Sequence, residues 1–208
     1  MFNFLKKKDQ QEKTLRAAFW VLLVFATTAL IASFTLSVEE IILIKNPDAV
    51  LSCTLNSVLN CSTVMQTWQA GLVFGIPNMF FGLMAFPVII TVAVAALWGG
   101  ATYRRGFLLA MNVGMLACWA FALWLFFSSV YVIEVLCPWC LVVTFSSTML
   151  FATSTFISLR ENAFGLKKAA DKKVQSFLNS GYYQMVVASF VVLLVALVFI
   201  KFGAELFA

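Results

Sequence analysis

The chain has 208 residues, 62% of them hydrophobic and only 11% charged, with a net charge of +5 and no histidine. Mean hydropathy is +0.97. A soluble domain is nearer half apolar and a quarter charged, so this composition excludes an aqueous globule and requires a membrane protein. The missing histidine also excludes imidazole ligation of haem or metal and Ser–His hydrolysis, and no glycine-rich phosphate loop is present.

Residues 1–15 form a basic tail containing Lys6, Lys7, Lys8 and Lys13, with Arg16 at its edge. The first uncharged run, Ala17–Val38, predicts a membrane helix over roughly 16–38. About 20 apolar residues suffice to cross the bilayer, and lipid leaves the backbone no water to bond, which forces helix. The run exceeds a signal-peptide core and exits into Val38-Glu39-Glu40, so it reads as a retained anchor.

The segment 39–75 is expected as a long loop. Asn46-Pro47-Asp48 is a turn signal, and Cys53 and Cys61 follow, seven residues between them. From Ser62 the pattern turns helical, with Val64, Met65, Trp68 and Leu72 on one face. Such a short helix can lie at the bilayer surface with Trp68 as interfacial anchor. Gly75-Ile76-Pro77-Asn78 then leads into a second span over 76–98.

Spans three and four are expected at 107–132 and 138–159, joined by a very short connection near Glu134–Cys137. Pro138 suits the first helical position, where its missing N–H costs nothing. Cys137 and Cys140 thus open span four. Residues 161–181 form a basic connection, and 182–201 the fifth span, with a short tail to 208. The basic residues set an expected orientation. Twelve (Lys6, Lys7, Lys8, Lys13, Arg16, Arg104, Arg105, Arg160, Lys167, Lys168, Lys172 and Lys173) fall on one side and two (Lys45 and Lys201) on the other. Positive charge stays cytoplasmic, so the expectation is N-in/C-out, and the basic residues report topology rather than nucleic-acid binding.

On that topology four of the five cysteines face outward, and Cys118 lies mid-span as an inert packing residue. The outward compartment is oxidising. For Cys53 and Cys61, a structural staple and a redox pair both remain open. A staple between Cys137 and Cys140 would add little, because closing so short a loop removes little unfolded-state entropy. A thiol at a helix N-terminus is instead stabilised as thiolate, which suits disulfide exchange. A zinc site is disfavoured by the ligand spacing and the absent histidine.

Two dithiol pairs facing one compartment suggest a relay, one meeting a soluble partner and the other discharging electrons to a lipid-soluble quinone. Asn78 lies at about the depth of Cys140. Its amide can hydrogen-bond a quinone carbonyl or cap span two after Pro77, and both readings stand. Phe80, Phe81 and Trp139 are candidates to line a ring-shaped pocket.

At these residues the chain resembles the vitamin K epoxide reductase family, in its bacterial branch. The resemblance rests on Cys53-x₇-Cys61, Ser62-Thr63-Val64-Met65, Gly75-Ile76-Pro77-Asn78 and Leu136-Cys137-Pro138-Trp139-Cys140, in the family's order, over roughly 16–160. In oxidases of the DsbB type the two cysteine pairs come in the reverse order. The resemblance implies an all-α membrane protein, a four-helix transmembrane bundle around a quinone (ubiquinone or menaquinone), with the fifth span an addition. It implies that Cys140 meets the quinone beside Asn78, that Cys137 is its partner, that Cys53 exchanges with Cys137, and that Cys61 is attacked by the protein partner. Relatives with a Tyr four residues after the last cysteine contrast with Thr144 here, which argues against vitamin K epoxide as substrate. Many bacterial relatives carry a fused thioredoxin-like domain, whereas this sequence ends at Ala208, so the expected partner is a separate thioredoxin-fold, DsbA-like thiol oxidase.

The expected function is therefore a quinone-dependent thiol–disulfide oxidoreductase of the bacterial plasma membrane, its cysteines on the extracytoplasmic side. The alternatives are a vitamin K quinone or epoxide reductase driven by partner thiols, and a non-enzymatic scaffold with two disulfide staples.

Overall fold

A computed structural model of the chain describes the backbone of residues 2–206 except 48, 55, 57 and 73, and side chains over 11–203 with the same exceptions. Lys6, Lys7 and Lys8 of the basic tail, Asp48 of the expected turn and the residues after 203 thus lie outside the described side chains.

Among the described residues seven α-helices follow in order: α1 (Phe2–Lys45), α2 (Cys61–Met65), α3 (Met79–Leu97), α4 (Arg105–Ser128), α5 (Pro138–Arg160), α6 (Lys168–Asn179) and α7 (Tyr182–Leu206). A 3₁₀ turn, Trp68–Gly71, follows α2, and α4 runs on into a π turn over Ser129–Ile133. Helices α1, α3, α4, α5 and α7 are long and apolar enough to cross a membrane. The protein is an all-α, multi-pass membrane protein. Among the described residues no strand forms.

The expected spans are all present, but the first helix is longer than its apolar run. At about 1.5 Å per residue, the 44 residues of α1 reach well beyond a hydrocarbon layer of about 30 Å. Glu39 and Glu40 are good helix formers, and nothing stops the helix before Asn46, which precedes Pro47 and is biased out of the helical region. The expected loop start at residue 39 therefore moves to the end of Lys45. The expected amphipathic helix from Ser62 is shorter than the pattern suggested. Helix α2 ends at Met65, and Thr67 is extended before the 3₁₀ turn. Trp68 does stand exposed.

Helix α1 packs against both α3 and α5, and α5 packs against α4. Its buried stripe is small: Ala18, Ala26, Ala29 and Ala32, with Ser33, let neighbouring backbones come close. Gly82 of α3 meets this stripe at Ser33, where an added Cβ would collide with the serine side chain and with Phe86. Polar ties add direction. Asn112 Nδ2 donates to Thr155 Oγ1 at 2.8 Å and to Ser154 Oγ at 3.1 Å, joining α4 to α5. At the opposite end from the cysteines, Arg105 donates to the carbonyl of Ala163, and Arg160 to Gln175 and Asn179 of α6.

The fifth spanning helix is docked. Tyr183 Oη donates to the Ala152 carbonyl at 2.7 Å, and Leu194 and Phe202 pack with Phe126, Val130, Leu136 and Val58. Lys201 pairs with Glu134 at 2.6 Å.

Candidate active site

The first and longest connection folds back over one end of the bundle, and a short backbone clamp fixes its register. Leu59 and Leu136 form a parallel bridge. Leu136 N donates to the Val58 carbonyl at 2.8 Å, and Asn60 N donates to the Leu136 carbonyl at 2.9 Å. Immediately beyond the clamp on one side lies Cys61, the first residue of α2, whose start is capped by Asn60 accepting from Thr63 N. Immediately beyond it on the other lies Cys137, at the start of α5. Two cysteines 76 positions apart are thus delivered together: Cys61 Sγ stands 3.2 Å from Cys137 Sγ.

Cys53 and Cys61 are joined by a disulfide, while Cys137 and Cys140 are free. Both bonded sulfurs are buried, Cys61 at 0% and Cys53 at 5% exposure. They pack with Leu36, Leu43, Leu51, Met65 and Cys137. The loop cysteine beside Cys137 is therefore Cys61. The expectation that Cys53 meets Cys137 is not what the bridge register produces, because Leu59 is two residues from Cys61 and six from Cys53. Cys53 lies instead against α1, its Sγ 2.7 Å from Glu39 Oε2, while Ser52 Oγ donates to Glu39 Oε1. These two carboxylate contacts were not legible in the sequence, where Glu39 read as the first residue of the loop after span one.

Cys137 occupies the N-cap of α5, and its sulfur accepts from Cys140 N at 3.3 Å. Its pKa is drawn below the ordinary thiol value. The leading cause is a hydrogen bond with the Cys140 side chain. Burial opposes the shift, backbone N–H groups of Cys140 and Trp139 assist it, and the Glu39 charge opposes it. A dithiol pair with one stabilised thiolate is set up for exchange.

Next to the sulfurs, an apolar cavity of about 1140 Å³, counted with its open mouth, lies between α3 and α4, with α1 and α5 completing its walls. Cys137, Cys140, Asn78 and Phe81 all border it, as do Gln69 and Thr144. Trp139 and Phe80 are not among its walls. Trp139 packs instead with the loop-cysteine cluster. Asn78 sits at the start of α3 but its side chain makes no cap. Its amide nitrogen donates to the Gln69 carbonyl at 2.6 Å, and its Oδ1 is buried without a partner. Gln69 Oε1 is likewise buried and unpartnered. Thr144 Oγ1 donates back to the Cys140 carbonyl at 2.9 Å, which occupies its hydroxyl within its own helix. Cys118 borders the cavity from α4 as a free thiol.

Glu39, Cys53 and Cys61 place three potential ligand atoms within 4.8 Å of one another. Two of the three are sulfurs bonded to each other, so they have no thiolate to offer a metal.

A model of the vitamin K epoxide reductase family matches residues 20–155, well over half of the chain. The chain belongs to the vitamin K epoxide reductase family. Membership makes it an oxidoreductase of a quinone-associated family, and the matched region spans α1 to α5, which supply every sulfur and every cavity wall described above. No curated protein matches the chain.

Proposed function

We propose that this protein is a quinone-linked thiol–disulfide oxidoreductase that reoxidises a soluble thioredoxin-fold dithiol protein, with its active cysteines on the extracytoplasmic side of a bacterial plasma membrane. The single observation that carries the reading is the sulfur array. A loop disulfide lies 3.2 Å from the first thiol of a CxxC pair, and that pair borders an apolar cavity. The orientation is supported by twelve of fourteen basic residues lying toward the other end.

The cavity residues fit a quinone. Its walls are apolar, and Asn78 and Gln69 leave two buried carbonyl oxygens without donors, positions that the hydroxyls of the reduced quinol would satisfy, since a quinone's own oxygens only accept. Leaving a buried acceptor unpaired costs about 1–3 kcal/mol, so these two oxygens favour the quinol form that the reaction produces. Cys140 and Asn78 would flank it, with Phe81 against its face. A quinone held there would supply an acceptor for two electrons and two protons, and Cys137 and Cys140 would be left as a disulfide.

The chain's own sulfurs then act in sequence. A partner thiolate attacks Cys53 and Cys61 leaves as thiolate. Cys61 attacks Cys137 in the Cys137–Cys140 disulfide, and Cys140 leaves as thiolate. The partner's second cysteine closes its own disulfide and releases Cys53. Cys53 attacks Cys61, re-forming the loop disulfide and expelling Cys137. The structure has the bonding pattern that ends this sequence: Cys53–Cys61 joined, Cys137 and Cys140 free. In this reading Cys61, rather than Cys53, exchanges with Cys137, the reverse of the assignment carried over from the family.

Purified protein given reduced thioredoxin-fold donor and ubiquinone should bleach the quinone absorbance, and Cys140→Ala should abolish it. No bleaching by the wild-type protein with ubiquinone or menaquinone would overturn the proposal. A parallel assay with vitamin K epoxide tests the reductase alternative, which Thr144 disfavours because its hydroxyl is already bonded. A scaffold with two staples is disfavoured by the free Cys137 and Cys140.

A further inference from the structure

Helix α1 carries a buried stripe into the sulfur cluster: Leu36, Glu39 and Leu43, spaced three and four residues apart, all face inward. Two of the three are leucines, and the middle one is a carboxylate with 5% exposure. Burying a carboxylate is costly unless it is paired or hydrogen-bonded. No lysine or arginine among the described residues pairs with Glu39. Ser52 holds one of its oxygens, and the other rests on Cys53 Sγ at 2.7 Å. Ser52 directly precedes Cys53, so the same residue pair fixes the carboxylate and the sulfur against each other.

We infer that Glu39 is a catalytic proton acceptor and donor for Cys53. The inference rests on the relay proposed above. When the loop disulfide is open, with Cys53 a free thiol and Cys61 joined to Cys137, Cys53 must attack Cys61 as a thiolate, yet it is only 5% exposed. Glu39 takes the Cys53 proton. The Cys53–Cys61 bond forms, the Cys61–Cys137 bond breaks, and its electron pair leaves on Cys137. The same proton returns to Cys53 when the partner's second cysteine displaces it. The transfer helps the leaving sulfur too. The Glu39 charge opposes the Cys137 thiolate, and protonating the carboxylate removes that opposition at the step in which Cys137 departs. The ionisable groups around Glu39 are Cys53, Cys61 and Cys137 of the cluster and Glu40 beside it on α1.

The test is a single turnover without a protein partner. Fully reduced protein in detergent is mixed with ubiquinone, quenched with acid and alkylating agent, and its disulfides are mapped by mass spectrometry. Wild type should pass through Cys61–Cys137 to Cys53–Cys61. Glu39→Gln should accumulate Cys61–Cys137 at pH 7 and form the loop disulfide on the order of a hundredfold more slowly, the size of a general-base contribution. Its defect should shrink above about pH 8.5, where a thiol ionises unaided, and Glu39→Asp should recover part of the rate. A Glu39→Gln protein that closes the loop pair at the wild-type rate overturns the inference. So does a slowing that is the same at every pH, the mark of a merely structural role. Should Glu39→Gln fail to fold, Glu39→Asp decides. A shorter carboxylate that leaves both the rate and its pH profile at wild type overturns the inference as well. Cys53→Ser separates the two proposals: it should trap Cys61–Cys137 whatever Glu39 does, and its failure to do so sinks the relay itself.

Discussion

Cys137 draws its reactivity from one neighbour above all. The hydrogen bond with Cys140 is the largest influence lowering its pKa, so the thiolate persists to lower pH than in an ordinary cysteine. In a reduced variant lacking Cys53, Cys61 and Cys118, the first thiolate absorbance step at 240 nm should fall below about pH 8.5. In the same background Cys140→Ala should move it upward. A step that stays put would separate the two sulfurs electrostatically. Asn78 makes a different prediction. Its amide is oriented by the Gln69 carbonyl, and losing one hydrogen bond costs about 1 kcal/mol. Asn78→Ala should therefore raise the quinone concentration for half-maximal turnover severalfold and leave thiol exchange alone; unchanged quinone dependence would remove Asn78 from the site. Cys118 borders the cavity but has no sulfur partner, and Cys118→Ala should retain full turnover.

Among the elements, the clamp between the first connection and the start of α5 does the most for the site. It sets which loop sulfur faces Cys137, and α2 carries that sulfur on a helix start capped by Asn60. Removing such a cap costs about 1 kcal/mol. Asn60→Ala should slow closure of the loop pair on Cys137 while the CxxC pair still accepts electrons from small dithiols. Equal slowing of both would place the effect elsewhere. The α1–α3 crossing is a second determinant. Gly82 lies against Ser33 with no room for a Cβ, and overpacking costs roughly 1–3 kcal/mol. Gly82→Val should lower the thermal midpoint and loosen the cavity wall that both residues border; a midpoint equal to wild type would show that the helices slide apart freely.

For the whole molecule, five spans put the two chain ends at opposite faces of the membrane. The sulfur end is that of Glu134 and Lys201, and the basic end is that of Arg105, Arg160 and α6. Reporter cysteines at Glu134 and Asn162 in a background without native cysteines should therefore label from opposite sides of intact membranes, Glu134 from outside. Labelling of both from one side would overturn the topology, and labelling of Glu134 only from within would reverse the orientation. The fifth spanning helix shields Val58 and Leu136, both at the clamp. Its contribution to the site is thus mechanical, and it stands outside the region matched by the family model.

Composition and uncharged runs were enough to find five membrane helices, because a bilayer accepts so few kinds of chain that hydropathy alone reports them. The cysteine spacings and the Cys-Pro-Trp-Cys helix start likewise announced redox chemistry, since that chemistry sits in local backbone geometry. Residue-level pairing was out of reach. Which loop cysteine faces Cys137 depends on the Leu59–Leu136 bridge, a contact 77 residues apart in sequence with no local signature. Glu39 was hidden for a related reason. Its role depends on α1 continuing past its apolar run and on Ser52 and Cys53 folding back onto it, and only packing in three dimensions brings a carboxylate on one helix against a sulfur on a distant loop.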